Sequence, residues 1–184
     1  MPSIYEPRLQ PSIWKFLLST LLVLIIAIYA IITLNTGDPL WFQSQFSGQP
    51  VAMTLYCYGT PVEITPDTPA FQALSGMVNE ALSGPKRWDS LSLSDVTYND
   101  YHTHPRMAVL ELHYAPPVRV HSTVKFFSQV EDMIIPLDGR HAQTNAVFGR
   151  DHGYAIAGSL HVESWAAVVD YVRTQGLCDI NFEP

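Results

Sequence analysis

Two histidines, His102 and His104, sit two residues apart in the stretch YHTHP (101–105). On an extended chain, side chains two apart point the same way, so both imidazoles can reach one ion. Zinc takes ligands tetrahedrally, and a catalytic zinc site needs a third protein donor plus an open position. Glu111 or His113 can supply the third donor. The competing reading is a polar loop entering a strand, with Pro105 restricting His104 to extended backbone. The other histidines, His121, His141, His152 and His161, are scattered.

HTHP resembles the metal-binding motif of the JAMM (MPN) metalloproteases, in which H-[ST]-H-P is followed after six residues by a serine and, two residues on, by an aspartate ligand. Here RMAVLE follows, then Leu112 stands at the serine position and Ala115 at the aspartate position. Glu63 and Glu80 lie upstream without the family's surroundings. The resemblance covers five residues and stops where the chemistry is carried.

Other catalytic signatures are missing. There is no G-x-S-x-G, H-E-x-x-H, glycine-rich phosphate loop or C-x-x-C. PLDGRH (136–141) groups Asp138, Arg140 and His141, which can hold a small acidic group but first reads as a turn. RDHG (150–153) is a hairpin turn in the same sense. No cofactor is implied.

The elements that must position these residues begin with a membrane segment. Residues 16–34, FLLSTLLVLIIAIYAIITL, carry no charge. Nineteen helical residues rise close to 30 Å, the thickness of a bilayer's hydrocarbon core. The run is longer than a signal-peptide core and lacks a small-residue cleavage site, so it reads as an uncleaved anchor. Trp14 before it, and Trp41 and Phe42 after it, suit the two interfacial belts. Arg8 and Lys15 precede the span, and no further Lys or Arg occurs until Lys86. The positive-inside rule then predicts a cytoplasmic tail over 1–15, a connector over 35–50 and an extracytoplasmic domain over 51–184.

The exported part holds 16 acidic against 8 basic residues, which disfavours nucleic acid and anionic lipid as partners. Cys57 and Cys178 can form one disulfide outside the cytoplasm. Two buried free thiols are the slightly preferred reading, because a domain of this size can hold a core unaided.

Within the domain, VAMTLYCYG (51–59) reads as a strand and TPVEITPDTP as a loop. A helix follows, capped by Thr68, with Pro69 at its first position and Gly84-Pro85 at its end. Phe71, Leu74, Val78 and Leu82 form its buried stripe. Residues 84–105 read as polar and irregular. MAVLELHY (107–114) alternates, with Leu110, Leu112 and Tyr114 on one face and Val109, Glu111 and His113 on the other. VRVHSTVKF (118–126) alternates again, predicting a hairpin around Pro116-Pro117. MIIPL (133–137) is a strand that Pro136 moves to an edge or an end. NAVFG and YAIAGSLHV flank the RDHG turn. A last helix over 163–176 buries Trp165, Val168, Val169 and Val172 and ends at Gly176.

The pattern predicts an α+β domain: a mostly antiparallel sheet with two helices on one face. An anchor with no complete catalytic motif predicts a non-catalytic role, as accessory subunit of a membrane complex or tethered interaction module. Its partners are the bilayer through residues 16–34 and a protein, with no nucleic acid. The alternative is a membrane-tethered metal-dependent hydrolase using His102 and His104. A tethered binder of small solutes is a thinner third option.

Overall fold

The computed structural model describes residues 12–123 and 127–180. Most of the expected tail (1–15), including Arg8, and the end of the expected 118–126 strand lie outside the described residues.

Helix α1 (Ile13–Thr36) contains the whole apolar run, and its most hydrophobic window is not buried against the rest of the chain. It has the length and composition of a membrane span or signal anchor. It stops at Gly37, which takes the left-handed conformation and donates its N–H to Thr33.

The connector is packed onto the domain. Phe46 is buried edge-on to Tyr114, its N–H donates to Ser83 Oγ, and Asn79 Nδ2 donates to the Gly48 carbonyl. Phe42, by contrast, is 60% exposed.

The domain is an eight-stranded antiparallel sheet with helices on both faces. Strands β1 (Ala52–Cys57), β2 (Thr60–Ile64), β3 (Arg87–Asp89), β4 (Ala108–Val118), β5 (Val130–Asp138), β6 (Ala146–Asp151), β7 (Tyr154–Ala155) and β8 (Ser159–His161) run in the order β2-β1-β4-β5-β6-β8-β3, with β7 paired to β6. Helix α2 (Pro69–Ser83) starts as its sequence predicts: Thr68 Oγ1 accepts the Phe71 N–H and Pro69 opens the helix. Helix α4 (Ala166–Thr174) follows Trp165. The stripes of α2 and α4 share one core with Met53, Leu55, Leu110, Leu112, Met133 and Ile135. The α+β class is as expected, although the sheet carries helices on both faces and not on one.

The structure corrects four local expectations. Residues 60–64, read as loop, are an edge strand. Tyr58 and Gly59 both take positive φ and turn the chain directly back onto β1, and the edge position tolerates Pro61. Residues 84–105 hold β3 and a third helix, α3 (Asp95–Thr103), capped by Ser94 Oγ, which accepts the Thr97 N–H. Strand β4 runs on through Pro116-Pro117 to Val118, and no strand forms over 119–123; the prolines fit because the ladder is interrupted between the His113 and Val118 pairings. Strand β5 is interior, not an edge. Pro136 is accommodated because the β4–β5 register shifts beside it and the β6 pairing runs only from Asp132 to Ile134.

Cys57 and Cys178 are joined in a disulfide with Cα atoms 5.7 Å apart, not left as thiols. The bridge ties β1 to the tail beyond α4. The β6–β7 turn is the expected hairpin, with His152 and Gly153 both at positive φ.

Candidate functional site

The face of the sheet opposite α2 and α4 carries the polar chemistry. Alternation along β4 puts Val109, Glu111 and His113 there, and register brings Thr54 and Glu63 beside Glu111, and Ala52 and Asp132 beside His113. Helix α3 covers one part of this face. Its Tyr101 is fully buried in a small second core with Leu93, Met107, Val109, Ile134 and Phe148. That anchor turns Tyr98 and His102, one helical turn apart, toward the strands. The approach is close: a Cβ on Gly59 would stand 2.7 Å from the Thr103 carbonyl oxygen, so only glycine lets the β1–β2 turn pass the end of α3.

Glu111 is the hub. Its Oε1 accepts the Tyr98 hydroxyl at 2.8 Å and its Oε2 lies 2.8 Å from His102 Nε2. The His102 ring stacks on Tyr56 with centroids 4.0 Å apart and meets Tyr98 edge-on at 4.3 Å. His113 Nδ1 lies 2.6 Å from Asp132 Oδ1. The Arg150 guanidinium carbon sits 3.7 Å over the Tyr98 ring, and its Nη2 donates to the Gly153 carbonyl. A cleft of about 200 Å³ opens between Tyr56, Tyr98, Glu111, His113 and Asp132. Burial, then the negative charges of Glu111 and Asp132, hold both phenols above their ordinary range.

His102 and His104 are not presented on an extended chain. His102 lies in the last turn of α3, and His104 caps that helix with extended backbone, as Pro105 requires. His104 Nδ1 accepts the Arg106 N–H at 3.2 Å. Of the two donors weighed beside the pair, Glu111 contacts His102 directly, whereas His113 pairs with Asp132. Among the described residues, the three donors that converge are others: Glu131, Asp151 and His152, at the β6–β7 turn.

The PLDGRH loop is drawn apart. Asp138 accepts the Tyr58 hydroxyl, Arg140 reaches Thr97 and Asp100 on α3, and His141 Nδ1 accepts the Tyr101 hydroxyl at 2.6 Å. Burial, Arg140 and His161 push the His141 imidazole below its ordinary pKa, so it stays neutral and able to accept that proton. His161 is buried, with Nδ1 on the Thr144 carbonyl and Ser159 Oγ 3.2 Å from Nε2. Ser159 is fully buried, so the pair braces β8 and offers no accessible nucleophile.

Tyr56, Tyr98, Asp132 and Arg150 were not legible as site residues. The available signal was the alternation that put Glu111 and His113 on one face of β4. The chain matches no protein-family model, and comparison with curated proteins and with solved structures finds no match.

Proposed function

We propose that this protein is a membrane-anchored, extracytoplasmic interaction domain, an accessory subunit or tethered module without catalysis of its own. The observation that carries the reading is the joining of an apolar N-terminal helix to a disulfide-bonded domain. Disulfides persist in oxidising compartments, which favours the outer side of the membrane for residues 51–184 and agrees with the positive charges before the span.

The way the domain meets the helix supports tethering at short range. Asp38, buried just beyond α1, lies 2.8 Å from His121 Nδ1, and Arg119 Nη1 donates to the Gly37 carbonyl. The β4–β5 connection therefore grips the exit of the anchor.

A metal-dependent hydrolase built on His102 and His104 is less well supported. One imidazole is engaged by Glu111 and the other by the Arg106 backbone, so neither is aimed with its neighbour at a common point.

The test is purification of the tagged full chain from its native membrane in mild detergent, with mass spectrometry and metal analysis of the same sample. A stoichiometric partner chain is the expected result. A chain that purifies alone with one equivalent of zinc, lost in His102→Ala, overturns the reading in favour of the hydrolase.

A further inference from the structure

On the part of the sheet face that α3 leaves open, the chain's own groups satisfy the carboxylates only in part: Glu111 is held by Tyr98 and His102, and Asp132 by His113 through one oxygen. Glu63, Thr54 and Glu111 lie side by side in register on β2, β1 and β4. One row along, Ala52, His113, Asp132 and Arg150 do the same. Paired residues of antiparallel strands share a face, so three carboxylates, one imidazole and one guanidinium are grouped there. Arg150 is committed to the Tyr98 ring and the Gly153 carbonyl, and no carboxylate lies within ion-pair distance of it among the described residues. Asp132 uses Oδ1 for His113, while Oδ2 has no partner among the described residues.

The cleft beside these groups is lined by Tyr56 and Tyr98, by Ala52 and Thr54, and by Glu111, Asp132 and the His113 that pairs with it. Its volume of about 200 Å³ suits the end of one long side chain, not a large cofactor. Aromatic faces and carboxylates together recognise ammonium and guanidinium groups. The chain demonstrates the chemistry on itself, since Arg150 already occupies one face of Tyr98.

We propose that this cleft receives a lysine or arginine side chain presented by a partner protein. The proposal rests on the interaction role argued above and names where, and through which chemistry, the partner is held. Asp132 Oδ2 supplies the charge-assisted hydrogen bond, Glu111 adds long-range attraction, and the tyrosine rings supply cation–π contact. An acidic or purely apolar segment would leave Asp132 Oδ2 without a partner.

The test titrates the full chain, in nanodiscs of zwitterionic lipid, with acetyl-Gly-Arg-Arg-Gly-amide and with the same peptide carrying citrulline, which keeps the shape and removes the charge. Amide NMR shifts report the site. Saturable shifts at Thr54, His113 and Asp132 are expected with the arginine peptide and not with citrulline. Asp132→Asn should weaken binding about tenfold, and Glu63→Gln, on the exposed edge strand, about threefold. Thr54→Arg places a guanidinium in the cleft from within and should abolish peptide binding without lowering the melting temperature, which separates occupancy from misfolding. Equal response to both peptides, no saturable shifts, or shifts mapping elsewhere overturns the proposal. The peptide assay requires no native partner, so its failure leaves co-purification standing. Peptide binding without any co-purifying chain defeats the partner reading instead.

Discussion

On one face of the sheet, Leu55, Leu110, Leu112, Met133 and Ile135 meet the stripes of α2 and α4 in a large apolar core, closed at its border by the Cys57–Cys178 disulfide. On the other, a nine-residue helix covers a small core around Tyr101 and Phe148 and leaves a polar network partly exposed. Successive residues of β4 belong to different regimes: Leu112 is fully buried among apolar groups, whereas Glu111 is held by Tyr98 and His102. Stability is concentrated where non-directional burial acts. Directional, exchangeable contacts are concentrated on the face free to meet something else.

The sharpest test of this division is the disulfide. It closes a 121-residue separation, and replacing both cysteines with serine should cost about 3–5 kcal/mol in denaturant unfolding, in the chain-entropy account. A loss below about 1 kcal/mol would mean the apolar core needs no staple. Next, Leu112→Ala should cost about 3 kcal/mol by opening a cavity, and its neighbour Glu111→Gln only about 1–2 kcal/mol through weakened hydrogen bonds. Equal losses would erase the distinction between the faces. Tyr98→Phe removes one hydroxyl donor from Glu111 and should cost about 1 kcal/mol, with Arg150 still over the ring.

Two smaller effects are read as pH dependence. His141 has a depressed folded-state pKa, so the unfolded chain binds the extra proton first. Stability should fall as pH drops below about 6.5, the ordinary histidine value, and His141→Gln should flatten that slope. Asp38 runs the other way. Burial alone would raise its carboxyl, but the His121 hydrogen bond, the Leu40 N–H and the charges of His121 and Arg119 outweigh it and hold the group below its ordinary value. Its contribution is present above about pH 4 and lost as pH falls further. Asp38→Asn should remove that acid-side slope in an unfolding titration and loosen the grip of residues 119–121 on the end of α1.

How much was readable differs between the faces for a physical reason. The apolar face follows from periodicity: the alternation of 107–114, the stripe of 71, 74, 78 and 82, and the Thr68-Pro69 helix start are statements about neighbours in sequence. The polar face depends on α3, and an isolated helix of nine residues is marginal in water. Its polar sequence hides the tertiary contact that holds it, the burial of Tyr101. With α3 taken for a loop, His102 and His104 looked like a pair on extended chain; as a helix end and its cap, they part.

By itself, then, the sequence determined the apolar N-terminal helix, α2, α4, the alternating core of β4 and the α+β class, because each rests on local spacing, capping or hydrophobic period. The tertiary structure alone decided that Cys57 meets Cys178, that β2 pairs despite Pro61, that β4 continues past two prolines, and that Glu111 joins Tyr98 to His102. Those outcomes depend on register and on burial against distant residues, which no local pattern encodes.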